Sequence, residues 1–120
     1  MAKVMVVDDA YSELKLMESI LKSAGHQVVS LIDGDALEDK MSAEQPDLLL
    51  LDIVMPKRNG YEILRALRRD ARTKATPIVL VSSKNQESDR VWGKRQGADE
   101  YLPKPFTSDQ LLSMVGRFAR

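Results

Sequence analysis

The sequence contains no cysteine and a single histidine, and both shortages narrow the possible chemistry. Without thiols the chain can form neither a disulfide framework nor a thiolate metal site, and their absence favours a reducing compartment. We therefore expect a cytoplasmic protein. His26 follows a glycine and has no histidine or cysteine companion for a phosphocarrier or metal site, so we interpret it as a surface residue.

An excess of charge and a long apolar segment are also missing. Lysine and arginine together number 18, as do aspartate and glutamate, so no global basic field draws the chain to nucleic acid or to an anionic membrane. The apolar runs are only a few residues long, whereas a membrane-spanning helix needs about 20, and no signal segment opens the chain. We predict neither a nucleic-acid partner nor membrane association.

What is present is a chain of 120 residues, 43% of them hydrophobic and 30% charged, a composition typical of a globular protein with one core. No internal repeat, low-complexity tract or long linker divides the sequence. We predict one domain over residues 1–120.

Two hydrophobic periodicities alternate along this domain. Short runs rich in valine, isoleucine and leucine alternate with longer segments in which apolar residues recur every three or four positions. The predicted strands are Lys3–Val7, Gln27–Leu31, Leu48–Leu51, Ile78–Val81 and a weaker one at Tyr101-Leu102. Because these runs are short and mostly apolar, they predict an α/β fold with a parallel sheet buried on both faces. Pro103 places the fifth strand at an edge, since proline lacks the donor that an inner strand needs.

Three apolar faces have helical spacing. They consist of Leu14, Met17, Ile20, Leu21 and Ala24 in the first helix, Ile63, Leu64 and Leu67 in a middle helix, and Leu111, Leu112, Val115 and Ala119 in the last. Gly25 is suited to follow the end of the first helix, and Thr107 or Ser108 to cap the last. Residues 36–44 and 86–96 are also predicted to be helical.

Carboxylates follow two of the predicted strands. Asp8 and Asp9 follow the first strand, and Asp52 follows the third. Because ligands of open α/β sheets bind outside the carboxyl ends of the strands, we expect the three side chains to share one crevice. Their charges repel unless a cation lies between them, and Mg²⁺ suits the set because it keeps several waters and needs few protein carboxylates. The alternative for Asp8 and Asp9 is a pair of helix caps or loop acids.

A hydroxyl and an ammonium group are predicted at the same edge of the sheet. Ser82 ends the fourth strand, and Lys104 lies between two prolines after the fifth. Together with a metal ion these groups would hold a phosphoryl group, and Asp52 would be its covalent acceptor. The alternatives are that Ser82 is an ordinary turn residue and that Lys104 is simply solvated.

Four motifs occur in order along the chain: Val-Val-Asp-Asp at 6–9, Leu-Asp-Ile-Val-Met-Pro at 51–56 followed by Asn59-Gly60, Val-Ser-Ser at 81–83, and Gly-Ala-Asp-Glu-Tyr-Leu-Pro-Lys-Pro-Phe at 97–106. From Lys3 to about Phe118 the chain thereby resembles the receiver domain of two-component response regulators. The resemblance implies a doubly wound, five-stranded parallel sheet of the flavodoxin-like or CheY-like type, with strand order 2-1-3-4-5.

The resemblance also implies a role for individual residues. Asp52 would be the phosphoacceptor, and Mg²⁺ would bind Asp8, Asp9, Asp52 and the backbone carbonyl of Val54. Ser82 and Lys104 would contact the phosphoryl group, and Tyr101 would turn inward on activation. The implied output face contains Val91, Trp92, Lys94, Arg95 and Tyr101, although Trp92 is equally well interpreted as a cap on the core.

Partners follow from the same resemblance. The domain would be a signalling module rather than an enzyme, phosphorylated by a histidine kinase or a phosphotransfer domain, and either a monomer or a phosphorylation-dependent dimer. Since no effector module follows residue 120, its output would be a protein target. Residues 84–98 are similar to the fourth helix of PilH-type regulators, which belong to chemosensory systems that control type IV pili and twitching motility.

Two residues near the expected phosphorylation site lack the side chains that would activate water for hydrolysis of the aspartyl phosphate. Val54 is apolar and Lys84 is cationic, and neither orients water as a general base does, which predicts slow self-hydrolysis. Other functions stay open: a receiver-like module that acts without phosphorylation, and the N-terminal receiver fragment of a longer regulator. A flavodoxin-like nucleotide binder is disfavoured because two carboxylates after the first strand repel phosphate. An aspartate-based phosphatase is disfavoured because Val54 replaces its second acid.

Overall fold

A computed structural model describes residues 1–84 and 86–119, in which strands and helices alternate. The strands are β1 (Lys3–Val7), β2 (Gln27–Leu31), β3 (Leu48–Asp52), β4 (Ile78–Ser82) and β5 (Glu100–Pro103). The helices are α1 (Tyr11–Ser23), α2 (Leu37–Glu44), α3 (Gly60–Arg69), α4 (Glu87–Arg95) and α5 (Ser108–Phe118). Every predicted strand is present. Asn85, which belongs to the PilH-like stretch, lies outside the described residues.

The strands form one parallel sheet in the order β2-β1-β3-β4-β5, so the predicted fold class and strand order are confirmed. All residues of β3 and β4 are buried, as expected of inner strands covered on both faces. Asp52 and Ser82 continue the ladder by one residue beyond the predicted strand ends, pairing with Val81 and Pro103 respectively. Pro103 lies in an edge strand, as predicted.

Helices cover both faces of the sheet. On one face, α2, α3 and the Tyr101 ring pack against strand residues such as Met5 and Leu49, while α1 and α5 pack against their neighbours Val4 and Leu48 on the other face. The alternation arises because successive side chains of a strand point to opposite sides. Within the described ranges, no helix is both long enough and apolar enough to span a membrane.

Helix ends account for the differences from the predicted boundaries. The placement of Ala24 on the buried face of α1 was wrong: α1 ends at Ser23, and Ala24 is an exposed cap residue before Gly25, whose φ of 89° reverses the chain. Ala36 has a left-handed backbone with φ of 51°, so α2 begins one residue later than predicted. Thr107, rather than Ser108, caps α5 in a capping box with Gln110.

The amino ends of the strands are held by polar side chains. Asp47 accepts a hydrogen bond from the Lys3 N–H at 2.8 Å, and Asp99 accepts one from the Ile78 N–H at 2.8 Å. Arg68 of α3 donates to Asp99 at 2.7 Å and also to backbone carbonyls, including that of Gly97 at 2.8 Å. These bonds satisfy strand-end groups and connect α3 to the starts of β4 and β5.

His26 contributes to the same end of the molecule. It is half-buried, and its Nδ1 accepts a hydrogen bond from the Ala2 N–H at 3.1 Å. His26 therefore lies at the surface, as interpreted, but its ring is partly covered because the turn after α1 brings it against the residue that precedes β1.

Candidate functional site

Three carboxylates converge at the carboxyl ends of β1 and β3. Asp8 and Asp52 are buried and Asp9 is exposed, and one oxygen from each of the three lies within 4.8 Å of the others. They meet because β1 and β3 are neighbours in register, with Val7 opposite Leu51. The strand ends therefore bring the three acids together as the sequence predicts. An all-oxygen group of this kind is the donor set that a hard cation such as Mg²⁺ prefers.

Asp8 is fixed by its own backbone surroundings. Its N–H donates to the Leu31 carbonyl at 3.1 Å, and its Oδ1 accepts from the Ala10 N–H at 2.9 Å. This local turn places Oδ2 toward the interior of the site. The alternative interpretation of Asp8 as a loop acid holds for one carboxylate oxygen, which binds the Ala10 N–H, and leaves the other oxygen for the site.

Lys104 enters the site from the loop after β5. Its N–H donates to the Ser82 carbonyl at 2.8 Å, and its side chain is only 10% exposed. The ammonium nitrogen lies 2.8 Å from Asp8 Oδ2 and 3.7 Å from Asp52 Oδ1, and it also contacts Glu13 of α1. Lys104 is therefore not simply solvated. The peptide bond between Lys104 and Pro105 is cis.

The electrostatics of the site are unbalanced toward negative charge. Burial raises the pKa of Asp52 to about 6; Lys104 opposes this shift, while the charges of Asp8 and Asp9 add to it. Burial lowers the pKa of Lys104, but its hydrogen bonds to Asp8 and Glu13 and the charge of Asp52 outweigh burial and raise it overall. One ammonium among four carboxylates leaves room for a further cation, which fits a divalent ion.

Ser82 and Tyr101 are linked through the backbone of Lys84. Ser82 is buried at the end of β4, and its Oγ accepts from the Lys84 N–H at 3.2 Å. The Tyr101 hydroxyl donates to the Lys84 carbonyl at 2.5 Å. Ser82 is thus buried at the site, and one peptide segment connects its hydroxyl to the Tyr101 ring.

The Tyr101 ring is already turned inward in this structure, with only 1% of the residue exposed. It lies under α4 at Gly93, where an added Cβ would be 3.3 Å from Tyr101 Cδ2 and 2.8 Å from Leu80 Cδ1. The ring of Tyr101 therefore belongs to the core, because α4 lies close to the sheet at Gly93, and its contribution to the output face stays a prediction. Tyr101 does border a groove of about 530 Å³ between α4, β5 and α5.

The other predicted output residues lie on α4 and are exposed. Val91 and Trp92 face solvent, and Trp92 also contacts Tyr61 of α3 edge to face, with 6.4 Å between ring centroids. Lys94 forms an ion pair with Glu100 at 3.2 Å, and Arg95 is exposed. Trp92 thus combines both interpretations, since it covers part of α3 while 48% of it stays accessible.

The two residues predicted to influence hydrolysis are both exposed. Val54 lies two residues after Asp52, and Lys84 two residues after Ser82. The β3–α3 loop that carries Val54 is held to α2 by Arg58, which binds both Glu38 carboxylate oxygens, at 2.9 and 3.2 Å. No feature of the sequence indicated this ion pair between Arg58 and Glu38.

Sequence reasoning also missed Glu13. An acid in the first turn of a helix is explained by the helix dipole alone, so the residue gave no separate signal. Only the packing of α1 beside the β5–α5 loop shows that Glu13 contacts Lys104. Lys104 lies between two prolines in the sequence, and this restricted position could have prompted a search for acidic partners other than the three aspartates at the strand ends.

Comparisons with known proteins agree with this geometry. Residues 4–116 match the family described as response regulator receiver domain. The chain is 43% identical to Protein PilH of Pseudomonas aeruginosa over 115 residues, which cover 96% of this chain and 95% of PilH. It is 38% identical to the transcriptional regulatory protein CpxR of Escherichia coli over 120 residues, 100% of this chain and 50% of CpxR. It superposes on chemotaxis protein CheY4 of Vibrio cholerae with a TM-score of 0.90 at 32% identity, covering 98% of both chains. The chain belongs to the response regulator receiver domain family.

Proposed function

We propose that this chain is a phosphorylatable receiver in which Asp52 accepts a phosphoryl group with Mg²⁺ bound. The observation that carries the proposal is the convergence at one sheet edge of three carboxylates within 4.8 Å and an ammonium group 3.7 Å from Asp52. A metal-binding set beside a nucleophilic carboxylate and a buried lysine is the equipment that phosphoryl transfer needs.

In the proposed reaction, an Asp52 carboxylate oxygen attacks the phosphorus of the donor. The bond from phosphorus to the donor's imidazole nitrogen or acyl oxygen breaks, and its electron pair leaves with the donor. Lys104 balances charge on the phosphoryl oxygens, and Ser82 donates a hydrogen bond to one of them. Asp8, Asp9, Asp52 and the Val54 carbonyl would hold Mg²⁺, which supplies charge neutralisation at the transferring group.

Phosphorylation would change the conformation through Ser82. When the Ser82 hydroxyl turns to the phosphoryl group, the hydrogen bond that it accepts from the Lys84 N–H is lost. Lys84 is also the residue whose carbonyl accepts a hydrogen bond from the Tyr101 hydroxyl. Because Tyr101 packs against Gly93, this loss would bias the position of α4. The signal is a shift in the populations of two arrangements rather than a reaction of a substrate.

The proposed partners are a histidine kinase or phosphotransfer domain as donor and a protein target that binds the exposed residues of α4. The similarity to PilH, 95% of which is aligned, supports a role in chemosensory control of type IV pili and twitching motility, in the cytoplasm. The similarity to CpxR, of which the chain spans 50%, supports the alternative of a receiver within a longer regulator. Monomer and phosphorylation-dependent dimer are both compatible with a receiver.

The deciding experiment is intact-protein mass spectrometry after incubation with acetyl phosphate, with and without Mg²⁺. We expect a gain of one phosphoryl group that requires Mg²⁺ and is absent from Asp52→Ala. If neither acetyl phosphate nor a set of histidine kinases produces the gain, the protein is a receiver-like module that acts without phosphorylation. A gain that persists in Asp52→Ala would place the acceptor elsewhere.

A further inference from the structure

Lys104 makes its closest contacts with residues other than the proposed phosphoacceptor. Its ammonium lies 2.8 Å from Asp8 and contacts Glu13 at hydrogen-bond distance, whereas the 3.7 Å to Asp52 is too long for a hydrogen bond. An ammonium has three donors, and two of them are used by these carboxylates. The lysine is therefore held on the α1 side of the site.

The two carboxylates that hold Lys104 differ in their freedom to move. Asp8 is fully buried, and its other oxygen is bound to the Ala10 N–H. Glu13 has a longer side chain that is 46% exposed, so it can turn into water while keeping its charge solvated. Of the two, Glu13 is the one that can leave when another anion approaches Lys104.

We propose that Glu13 is a positioning residue that holds Lys104 away from Asp52 in the unphosphorylated protein and is displaced from the ammonium by the incoming phosphoryl group. The proposal rests on the proposed function, because it requires a phosphoryl group at Asp52. It identifies a competition within the protein: as the ammonium moves from the α1 side of the site toward a phosphoryl group on Asp52, it gives up its contact with Glu13. Glu13 would thereby set how tightly the phosphoryl state is held.

Neutralising Glu13 should move two affinities in opposite directions. In Glu13→Gln, Lys104 loses its competitor, and binding of the phosphoryl analogue beryllium fluoride with Mg²⁺ should tighten by about two- to fivefold, the range expected for a partly exposed ion pair. Binding of Mg²⁺ alone should weaken by about two- to threefold, because the released ammonium approaches Asp52 and one negative charge is lost. A merely structural role for Glu13 would not produce opposite signs.

Two further variants separate charge from contact. Glu18→Gln removes the same charge from α1, but Glu18 contacts Ser30, Lys15 and Lys22 rather than Lys104, so both affinities should stay within about twofold of the original, as for a pair outside the site. Glu13→Asp keeps the charge and shortens the side chain. It should tighten beryllium fluoride binding while weakening Mg²⁺ binding less than Glu13→Gln does, because the negative charge is kept, and it tests the proposal even if Glu13→Gln folds poorly.

Calorimetric titrations of five proteins give the outcome: the unaltered protein, Glu13→Gln, Glu13→Asp, Glu18→Gln and Asp52→Ala. Unchanged or weaker beryllium fluoride binding in both Glu13 variants, with binding abolished in Asp52→Ala, would overturn the role of Glu13 and leave the proposed function intact. If the unaltered protein binds no beryllium fluoride and gains no phosphoryl group, the proposed function fails and the role of Glu13 fails with it. Opposite shifts in Glu13→Gln, absent from Glu18→Gln, would support the role.

Discussion

The two ends of the sheet use aspartate in opposite ways. At the amino ends of the strands, Asp47 and Asp99 each accept a backbone N–H, and Asp99 also binds Arg68. At the carboxyl ends, Asp8 and Asp52 are buried close to another carboxylate and share one lysine. The first arrangement satisfies groups that folding leaves unpaired, while the second gathers like charges. Stability is built at one end, and chemistry is proposed at the other.

The largest expected effect comes from Asp52→Asn. It should abolish the phosphoryl gain and also stabilise the metal-free protein at pH 7.5. The pKa of Asp52 is raised from 3.8 to about 6, so its ionisation opposes folding above pH 6 by up to about 3 kcal/mol. The opposition fades as pH falls from 6 and is gone below about 4, where the carboxyl is protonated in both states.

Urea denaturation with a chelator, at pH 7.5 and pH 5, measures the predicted difference. Asp52→Asn should exceed the unaltered protein in free energy of unfolding at pH 7.5, and the gap should narrow at pH 5. If Asp52→Asn is less stable than the unaltered protein at both pH values, the ionised Asp52 carboxylate stabilises the fold despite its burial. The two ends of the sheet would then not differ in how aspartate affects stability.

The second prediction concerns the amino end. Asp99→Ala should lower the free energy of unfolding by about 1–2 kcal/mol, because it leaves the Ile78 N–H without its acceptor and removes one of the acceptors of Arg68. The rate of phosphoryl gain from acetyl phosphate should not change. Asp99→Asn serves as the matched control. Its amide oxygen can still accept a hydrogen bond from the Ile78 N–H, so its free energy of unfolding should fall by less than that of Asp99→Ala. A changed phosphorylation rate in Asp99→Ala would show that the two ends are coupled.

A third prediction separates chemistry from stability within the carboxyl end. Val54→Asn combined with Lys84→Glu should shorten the phosphoryl lifetime by about tenfold or more, because both new side chains can orient water toward the acyl phosphate. Both original residues are exposed, so the free energy of unfolding should stay within about 0.5 kcal/mol. Decay of the phosphorylated mass after removal of the donor measures the lifetime. An unchanged lifetime would mean that neither position limits access of water.

The smallest expected effect is stabilisation by Mg²⁺. At ten times its dissociation constant, Mg²⁺ should add about 1.4 kcal/mol to the free energy of unfolding at pH 7.5. The gain should decrease below pH 6, because protons compete with the metal for Asp52. Asp47→Asn, at the opposite end of the sheet, should keep the full gain. If Asp47→Asn loses it, the ion binds elsewhere.

Sequence reasoning predicted the sheet and the meeting of the acids because both depend on local rules. Apolar runs locate strands, and the carboxyl ends of neighbouring parallel strands share an edge, so Asp8 and Asp52 had to converge. Helix ends were less predictable, because each is decided by the backbone torsion of one residue. The end of α1 at Ala24 depends on the φ of Gly25, and the start of α2 depends on the φ of Ala36. Glu13 and Arg58 were missed because their partners are distant in the sequence, and only the packing of whole helices brings them together.

The close approach of α4 to the sheet at Gly93 has a practical consequence for observing this protein. Trp92 is the only tryptophan of the chain and precedes the residue that touches Leu80 and Tyr101. Because Gly93 lies close to the Tyr101 ring, a rotation of that ring would change the contacts of α4 next to the indole that contacts Tyr61. The protein thus carries an intrinsic fluorophore beside its proposed switch, so that tryptophan emission offers a label-free, real-time test of the proposed conformational change.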